Sequence, residues 1–494
     1  MLSRPTPVML SYLFDDAFYY LVPAHSFAYG EGWSFDGITR TSGFQVLYGY
    51  VAAAVALVTG LTPALPIVMA VVSAAALIAG AHLLLTRGGH LYGSTIAAAS
   101  LLLLLASPYV FRQITGGLEW SWVVMATTLC VGALLEDRPR AWLVALTAFA
   151  AVLVRVDLAI FIAIFTLAIA GRNMRSVVSA AAGAAAAIAL TALNSWLITG
   201  AWTPNAVSTK QFWASTTDFL PAVSWPRLMR VTGPGFVITE LRALLSVRSF
   251  LMFAAIGAGI IALCVLERRK DARRAGLAIA STIAIGAYTL AYARGANIMG
   301  DHYSGAIMVP VFVLTCALLS AAAAYRRVVA AGIGLAAIAF SVRGPWGAPG
   351  HLGIALGAPV LIAAVPLESR VAAWNAGLAG WQSGKRVTNL DGLANAEVVS
   401  AMKDGTLACY LRDTGITHIM DYGFMFAGQI DIGFSSDEEA RRRMLMRRNG
   451  YDSAQLYRCT SLIKSAPDPE IPSQYRLFAL DPECVAAVCG TSRR

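Results

Sequence analysis

The chain is dominated by long apolar runs that alternate with short charged connectors, from near residue 65 to near residue 342. Such runs are typical of transmembrane helices, which need about 20 apolar residues to cross a bilayer. Several runs are shorter than this, and ten are predicted as spans. They cover residues 65–86, 91–109, 119–135, 141–154, 157–171, 176–199, 250–266, 275–293, 303–325 and 328–342.

Three other apolar stretches fit the pattern less simply. The first, "PTPVMLSYLF", is too short to cross unaided and predicts a truncated first helix, which brings the total to 10–11 spans. The run "GFQVLYGYVAAAVALVTG" is long enough, but counting it would invert the sidedness of every later connector. We therefore expect an interfacial or re-entrant helix there, and a helix lying on the outer surface at 351–366.

Composition agrees with a membrane protein. Hydrophobic residues make up 57% of the chain and charged residues 13%, whereas soluble domains carry about 25% charged residues. The net charge of +10 does not indicate a nucleic-acid partner. Its basic residues concentrate in the connectors "TRGGH", "EDRPR", "GRNMR", "ERRKDARR" and "YRR", as the positive-inside rule predicts for cytoplasmic loops.

If these basic connectors face the cytoplasm, the remaining connectors lie on the opposite side of the membrane. The outer regions are then a first loop at 15–64, the connector "YVFRQITGGLE", the "RVD" break, a loop at 200–249 and "RGANIMGDHY". The fold class predicted is an all-α polytopic membrane module over 1–366, followed by a small extracytoplasmic α/β domain over 367–494.

The tail differs in pattern from the rest of the chain. The segments "KRVTNLDG" and "ITHIMDYG" are predicted as short strands, with the helical stretch "ANAEVVSAMKDGTLACYLRD" between them. The tail also carries Cys409, Cys459, Cys484 and Cys489. In an oxidising compartment they could form up to two disulfides, whose pairing the sequence leaves open.

Ionisable and amide side chains gather at the predicted outer ends of the spans. Such groups near membrane depth are rare, and they usually pair or line a wet cavity. They are Asp15, Asp16, Glu119, Arg155, Asp157, Asn205, Lys210, Asp301 and His302.

Most of these residues also have a purely structural explanation. Arg155 and Asp157 would make an ion pair where two short helices meet, and Glu119 would cap the helix that it starts. Lys210 would be a solvated loop lysine, and residues 301–302 would begin a helix. The adjacent aspartates have the weakest structural explanation, because two acids between phenylalanines gain little from packing.

These same residues carry a family resemblance. The stretch "DDAFYYLVPAHSFAYGEGWSFDGITRTSGFQVLY" resembles the first outer loop of GT-C-fold glycosyltransferases, membrane enzymes that use polyprenyl-phosphate sugars. It looks most like the bacterial subgroup that includes the mycobacterial terminal arabinofuranosyltransferase. "TGGLEW", "VRVDLAIF", "TGAWTPNAVSTK" and "MGDHYSGAIMVP" resemble later motifs of that family, in order. Ser42 stands where the family's N-G-F form has asparagine.

The resemblance implies a glycosyltransferase of the bacterial inner membrane that acts on its periplasmic face. It would move a hexose or pentose from a polyprenyl phosphate to a cell-envelope glycan, lipid or protein, with inversion. Such a displacement needs one carboxylate as general base. By resemblance the base is Asp15 or Asp16, with Asp15 slightly preferred. The other would orient the acceptor or bind a divalent cation, Mg or Mn; no other cofactor is expected.

The departing phosphate needs positive charge, and lysine is a good point-charge phosphate binder. We expect Lys210 to serve first, with His302, Arg155 and Arg294 behind it. The remaining residues expected to line the donor site are Asn205, Glu119, Asp157 and Asp301. Two alternatives stay open: a transporter or flippase of lipid-linked sugars, and an inactive GT-C-like protein that only binds a polyprenyl glycan.

Overall fold

The chain is mostly helical, with one small sheet near its C-terminal end, in the computed structural model. The predicted spans at 250–266 and 328–342, together with Arg294, Asp301 and His302, lie outside the described residues. The described residues are 6–105, 108–170, 173–215, 272–293, 305–321, 351–384, 387–426, 453–467 and 474–492.

Three helices precede the first long apolar run. α1 covers Thr6–Leu10, α2 covers Asp15–Ala28 and α3 covers Val46–Thr59. α1 lies within the first apolar segment, for which a truncated first helix was predicted. α3 is the helix predicted as interfacial, and it packs against α2.

The remaining helices of the predicted membrane module follow in chain order. Predicted and observed bounds agree best at 141–154, where charged connectors flank the run on both sides. The helices are α4 Ala64–Tyr92, α5 Ser94–Leu105, α6 Pro108–Thr115, α7 Trp120–Leu134, α8 Ala141–Val154, α9 Leu158–Ala170, α10 Met174–Thr199, α11 Asn205–Ser215, α12 Ala272–Ala293 and α13 Met308–Ala321.

Two of the described helices, α4 and α10, are long and apolar enough to cross a membrane. In α10 the large apolar side chains of Val178, Leu193 and Leu197 face outward. Close packing on α8 requires Gly183, because a Cβ there would collide with the carbonyl group of Ala145. The inward stripe of α10 is small or hydroxylated: Ser176, Ala180, Gly183, Ala187, Thr191 and Ser195.

The two ends of this bundle differ in charge. α7 separates Glu119, before its first residue, from Glu136 beyond its last by roughly 22 Å of helix. At the Glu136 end, Arg87 pairs with Glu136 at 3.5 Å and Arg273 with Asp137 at 2.9 Å. Three basic connectors therefore meet at one end, as expected if they share one side of a membrane.

The C-terminal part is an α/β unit built on a five-stranded sheet of order β2-β1-β3-β5-β4. The first three strands of that order are parallel, and β5 pairs antiparallel with β3 and β4. Its elements are α14 Leu352–Ile362, β1 Arg370–Ala373, α15 Gly377–Ser383, β2 Val387–Asn389, α16 Ala396–Lys403, α17 Leu407–Asp413, β3 Ile416–Tyr422, a 3-10 turn Gly423–Phe426, α18 Ser453–Arg458, β4 Thr460–Pro467, β5 Gln474–Leu480 and α19 Pro482–Ser492.

The predicted strand–helix–strand pattern of the tail is present as β2, α16, α17 and β3, while β1, β4 and β5 were not predicted. Cys409 bonds to Cys489 and Cys459 to Cys484, so both disulfides hold α19. The predicted number of disulfides is therefore met, and the structure supplies the pairing.

The sheet shares its hydrophobic core with the start of the chain. Phe18 and Tyr19 of α2 are buried in one cluster with Trp374, Leu378 and Val387 of the C-terminal unit. α2 contacts α15 directly, where the ring centroids of Phe18 and Trp381 lie 5.6 Å apart. The C-terminal unit is thus docked on the N-terminal helices.

Candidate functional site

The loop "TGG" before α7 contacts Phe14, the residue that precedes α2. The N–H of Phe14 donates to the carbonyl of Gly116 at 2.9 Å, and a Cβ at Gly116 would collide with the Phe14 ring. Gly117 has a φ of +76°, a left-handed conformation that favours glycine. Glu119 follows this loop and lies within hydrogen-bond distance of Tyr20 on α2.

Asp15 and Asp16 point to different faces of α2, because residues four apart share a helix face and neighbours do not. Asp15 shares its face with Tyr19, and Asp16 shares its face with Tyr20. We call these the Asp15 face and the Asp16 face. They make different contacts.

Asp15 binds the C-terminal unit. Its Oδ2 accepts the N–H of Gly377 at 3.0 Å, and its Oδ1 accepts the N–H of Leu378 at 2.7 Å. The side chain is 7% exposed, and burial raises the pKa of Asp15 although these two N–H groups oppose the rise. A Cβ at Gly377 would collide with Asp15, so a glycine is needed for this approach.

Tyr19 extends the same contact by one turn. Its hydroxyl oxygen accepts the N–H of Ala376 at 3.1 Å and the amide of Asn389 at 3.0 Å, and lies 3.1 Å from Oδ2 of Asp391. Burial, and then the nearby carboxylates with Asp391 first, raise the pKa of Tyr19 well above its ordinary value. The hydroxyl therefore stays protonated and can donate to Asp391.

Asp421, at the carboxyl end of β3, holds the loop that Asp15 binds. Its Oδ2 accepts the N–H groups of Trp374 at 2.7 Å and Asn375 at 2.8 Å, and its Oδ1 accepts the N–H of Tyr422 at 2.8 Å. Burial raises the pKa of Asp421 to about 6 against these donors. Residues 374–378 are therefore fixed by Asp421 from the sheet and by Asp15 from α2.

The Asp16 face leads to an ion cluster. Tyr20 donates to Glu119 at 3.1 Å, and Nε of Arg155 lies 3.9 Å from the same carboxylate. Arg155, which is 1% exposed, also binds Asp157 through Nε at 3.0 Å and Nη2 at 2.5 Å. Residues predicted from two separate motifs are thus joined, and Tyr20, one turn after half-buried Asp16, contacts them.

Glu119 occupies the N-cap position of α7, but its side chain makes no capping hydrogen bond. Its contacts are instead with the Asp16 face and Arg155. The ion pair expected between Arg155 and Asp157 is present where α8 ends and α9 begins, and it includes Glu119 as a second carboxylate.

Asn205 begins α11 and is buried against the first loop. Ser42 donates to its Oδ1 at 3.0 Å, and the N–H of Asn205 lies 3.3 Å from the Ser42 hydroxyl. Ser42, at the position where the N-G-F form has asparagine, therefore contacts the asparagine of the "TPN" motif. Four residues on, the Thr209 hydroxyl lies 2.7 Å from the carbonyl of Gly392, and half-buried Lys210 follows it.

One loop of the C-terminal unit, residues 389–395, contacts both helices that carry candidate chemistry. It meets α2 through Tyr19 and α11 through Thr209. It also meets the first loop, since a Cβ at Gly43 would collide with the Leu393 carbonyl. The helices of Asp16 and Lys210 are therefore anchored on the same short segment.

Both oxygens of Asp15 accept backbone N–H groups, and a cation-binding role for Asp15 or Asp16 stays a prediction. Within the described ranges, no three His, Cys, Asp or Glu side chains group closely enough to hold a metal ion.

The sequence interpretation missed Tyr19, Tyr20, Asp391 and Asp421. The tyrosines were detectable from their four-residue spacing after the aspartates. The two acids were detectable from their place in "TNLDG" and "IMDYG", at or just after the ends of two predicted strands, because the carboxyl ends of parallel strands lie at one edge of a sheet.

No protein-family model matches the chain, and no curated protein matches its sequence. Among solved structures, it is similar to an oligosaccharyltransferase from Archaeoglobus fulgidus crystallised with zinc and sulfate. That match has 13% identity and a TM-score of 0.47, and it covers 83% of this chain and 65% of the other. The chain thus spans slightly under two thirds of that protein.

The chain is also similar to ArnT from Cupriavidus metallidurans, in the apo state and bound to undecaprenyl phosphate. These matches have 13% and 12% identity and TM-scores of 0.39 and 0.40, and each covers 98% of this chain and 97% of the other. TM-scores below 0.5 carry no argument about activity, so the interpretation below depends on the chain's own residues.

Proposed function

We propose that this protein is a polytopic membrane glycosyltransferase that uses a polyprenyl-phosphate sugar. It transfers a hexose or pentose to a hydroxyl of a cell-envelope glycan, lipid or protein. The observation that carries the proposal is the convergence on α2: Asp16, the Glu119–Arg155–Asp157 cluster and the helix of Lys210 meet around one helix and one loop.

The packing of α4 and α10 supports insertion in a bilayer. Both helices turn large apolar side chains outward. The inward face of α10 is small or hydroxylated, which reverses the pattern of a water-soluble helix and matches helix packing in lipid. The two disulfides support an oxidising compartment around the C-terminal unit. That unit docks at the end opposite Arg87 and Arg273, which agrees with the positive-inside rule. The site then faces the periplasm from the inner membrane.

Asp16 is our choice of general base. Both Asp15 oxygens are bound to backbone N–H groups, whereas Asp16 is half-buried on the face that carries the ion cluster. This choice reverses the slight preference for Asp15 that the resemblance suggested.

The reaction is a single displacement with inversion. The Asp16 carboxylate takes the proton of the acceptor hydroxyl as its oxygen bonds to the anomeric carbon. The bond from that carbon to the phosphate oxygen breaks, and the electron pair leaves on the polyprenyl phosphate. Lys210 stabilises this leaving phosphate as a point charge.

Arg155 takes a different role from the one first expected. Its guanidinium already pairs with Asp157 and lies 3.9 Å from Glu119, so we assign it to ordering these two carboxylates. Glu119 and Asp157 then present fixed acceptors for sugar hydroxyls beside Asp16. Asn205, bonded to Ser42, fixes the start of the helix that carries Lys210.

The test is an in vitro transfer assay with purified protein, radiolabelled polyprenyl-phosphate sugars and a panel of candidate acceptors. We expect Asp16→Asn to lower the transfer rate by about 10²–10⁴, the usual contribution of a general base. Asp137→Asn is the matched control, because Asp137 is an exposed acid at the other end of the bundle. It should transfer at the wild-type rate.

Undiminished transfer by Asp16→Asn would refute the base assignment. The transporter alternative makes a different prediction: in proteoliposomes, labelled lipid-linked sugar would cross the bilayer without any transfer product. A protein that binds the donor but neither transfers nor translocates it would support the inactive alternative.

A further inference from the structure

The first turn of α2 is held from two sides. On the bundle side, the N–H of Phe14 bonds to Gly116. On the other side, the Asp15 carboxylate receives the N–H groups of Gly377 and Leu378, both in the C-terminal unit. Asp16 is the next residue, so any displacement of this turn moves its carboxylate as well.

The partners of Asp15 are themselves immobilised. Gly377 and Leu378 follow the loop that Asp421 binds through two backbone N–H groups. Tyr19 bonds to Ala376, the residue just before Gly377. Asp15 therefore contacts a segment whose position is set by the sheet, and backbone N–H groups in such a segment are directional donors.

We propose that Asp15 is a positioning residue through which the docked C-terminal unit sets the location of Asp16. This inference rests on the proposed function, in which Asp16 is the base. The C-terminal unit then takes part in catalysis without touching the reacting atoms.

The chemistry of Asp15 supports positioning more than proton transfer. A base needs a carboxylate oxygen directed at the acceptor hydroxyl, and here each oxygen is directed at an N–H group. Both carboxylate oxygens serve as acceptors here, whereas an asparagine would keep only one of them, because its amide replaces the other oxygen by an NH2 donor.

Two substitutions disturb the contact in different ways. Asp15→Asn replaces one acceptor oxygen by an NH2 group and removes a negative charge next to Asp16. Gly377→Ala keeps every charge but adds a Cβ that would collide with Asp15. Loss of the neighbouring charge should lower the pKa of Asp16, because like charges disfavour ionisation. Only Asp15→Asn should show this pKa effect.

The first measurement does not depend on activity. Hydrogen–deuterium exchange of the full-length purified protein reports the amides in peptides that cover residues 374–383. We expect faster exchange there in Asp15→Asn and Gly377→Ala, because their acceptor is lost or displaced, and wild-type exchange in Asp16→Asn. Unchanged exchange in Asp15→Asn would overturn the inference.

The second measurement is the pH dependence of kcat/KM, whose acid limb reports the base of the free enzyme. Asp15→Asn should retain transfer at a kcat lowered by roughly 10- to 100-fold, as expected for a displacement of about 1 Å, with its acid limb at lower pH. Gly377→Ala should lower kcat by a comparable factor and leave the acid limb of the pH profile at its wild-type position. A merely structural role would lower the amount of folded protein in both variants but leave kcat per folded enzyme at the wild-type value.

The outcomes separate this inference from the proposed function. If Asp15→Asn abolishes transfer as completely as Asp16→Asn while Gly377→Ala stays at the wild-type rate, Asp15 is the base and the positioning role is wrong. If Asp16→Asn keeps full activity, the proposed function fails at its base assignment, whatever the exchange data show.

Discussion

The two faces of α2 hold buried carboxylates by different means. On the Asp15 face, Asp15 and the nearby Asp421 are bound by backbone N–H groups of one ordered loop. On the Asp16 face, Glu119 and Asp157 surround a single guanidinium, that of Arg155. N–H groups in a folded loop define a position, whereas a guanidinium chiefly balances charge. Damage to the first region should misplace the helix, and damage to the second should destabilise the protein.

The largest effect on stability should come from removing the cation of the ion cluster. Arg155→Leu leaves buried Glu119 and half-buried Asp157 without their cationic partner, and breaking a buried pair in this way costs about 3–5 kcal/mol. Chemical unfolding of the purified protein in detergent measures the change.

Arg273→Leu is the control for that prediction, because its pair with Asp137 is exposed and such pairs contribute about 0–1 kcal/mol. If Arg155→Leu destabilises the protein no more than Arg273→Leu, the Glu119–Arg155–Asp157 cluster does not balance buried charge as we describe.

A pH-dependent effect should distinguish the Asp15 face. Burial raises the pKa of Asp421 from 3.8 to about 6 in the folded state, so the folded protein holds its proton more tightly than the unfolded chain. The stability that this pKa difference adds to the folded state is fully present below about pH 4 and is lost as the pH rises through 6. The difference amounts to roughly 3 kcal/mol.

This pH effect is checked by comparing wild type with Asp421→Asn, whose side chain does not titrate. The difference between their free energies of unfolding should fall from pH 4 to pH 6 and stay level above it. A difference that is constant across this range would mean that the N–H donors to Asp421 cancel the effect of burial.

The smallest effect should come from deleting one tyrosine hydroxyl. Tyr19→Phe removes the acceptor of the Ala376 N–H and of the Asn389 amide, and leaving buried donors unsatisfied costs about 1–3 kcal/mol. Tyr20→Phe is the matched change on the other face, where Glu119 keeps Arg155 nearby. We expect a cost of about 0.5–1.5 kcal/mol there. Equal losses of stability in Tyr19→Phe and Tyr20→Phe would mean that the two faces of α2 do not differ in how strongly their tyrosine hydroxyls are bonded.

The helices were largely predictable from the sequence, because charge at both ends of an apolar run marks where a helix stops. The run at 141–154 shows this best. The strands were harder: β4 is an edge strand whose residues Leu462 and Ile463 are exposed, so it lacks the alternation that predicts a half-buried strand. Its pairing with β5 is set by tertiary contacts.

The site was predictable as a set of residues but not as an arrangement. The charge pattern placed Glu119, Arg155 and Asp157 on one side, yet the contacts that join Tyr20 to Glu119 and Glu119 to Arg155 depend on how the helices cross. The neighbouring aspartates looked equivalent in sequence. Their difference arises from a partner more than 360 residues away, the N–H groups that bind Asp15.

The parallel strands lie in the order β2-β1-β3, so the strand order reverses between β1 and β3. Open α/β sheets commonly bind soluble ligands outside the carboxyl ends of the strands at such a point. Here that crevice is occupied by the chain's own first outer helix, with the Asp15 carboxylate where a ligand's anionic group would sit. The domain is therefore closed to a nucleotide or sugar phosphate at this edge for as long as α2 stays in it. An α/β unit that elsewhere would recognise a diffusible molecule serves in this protein as a receptor for another part of the same chain.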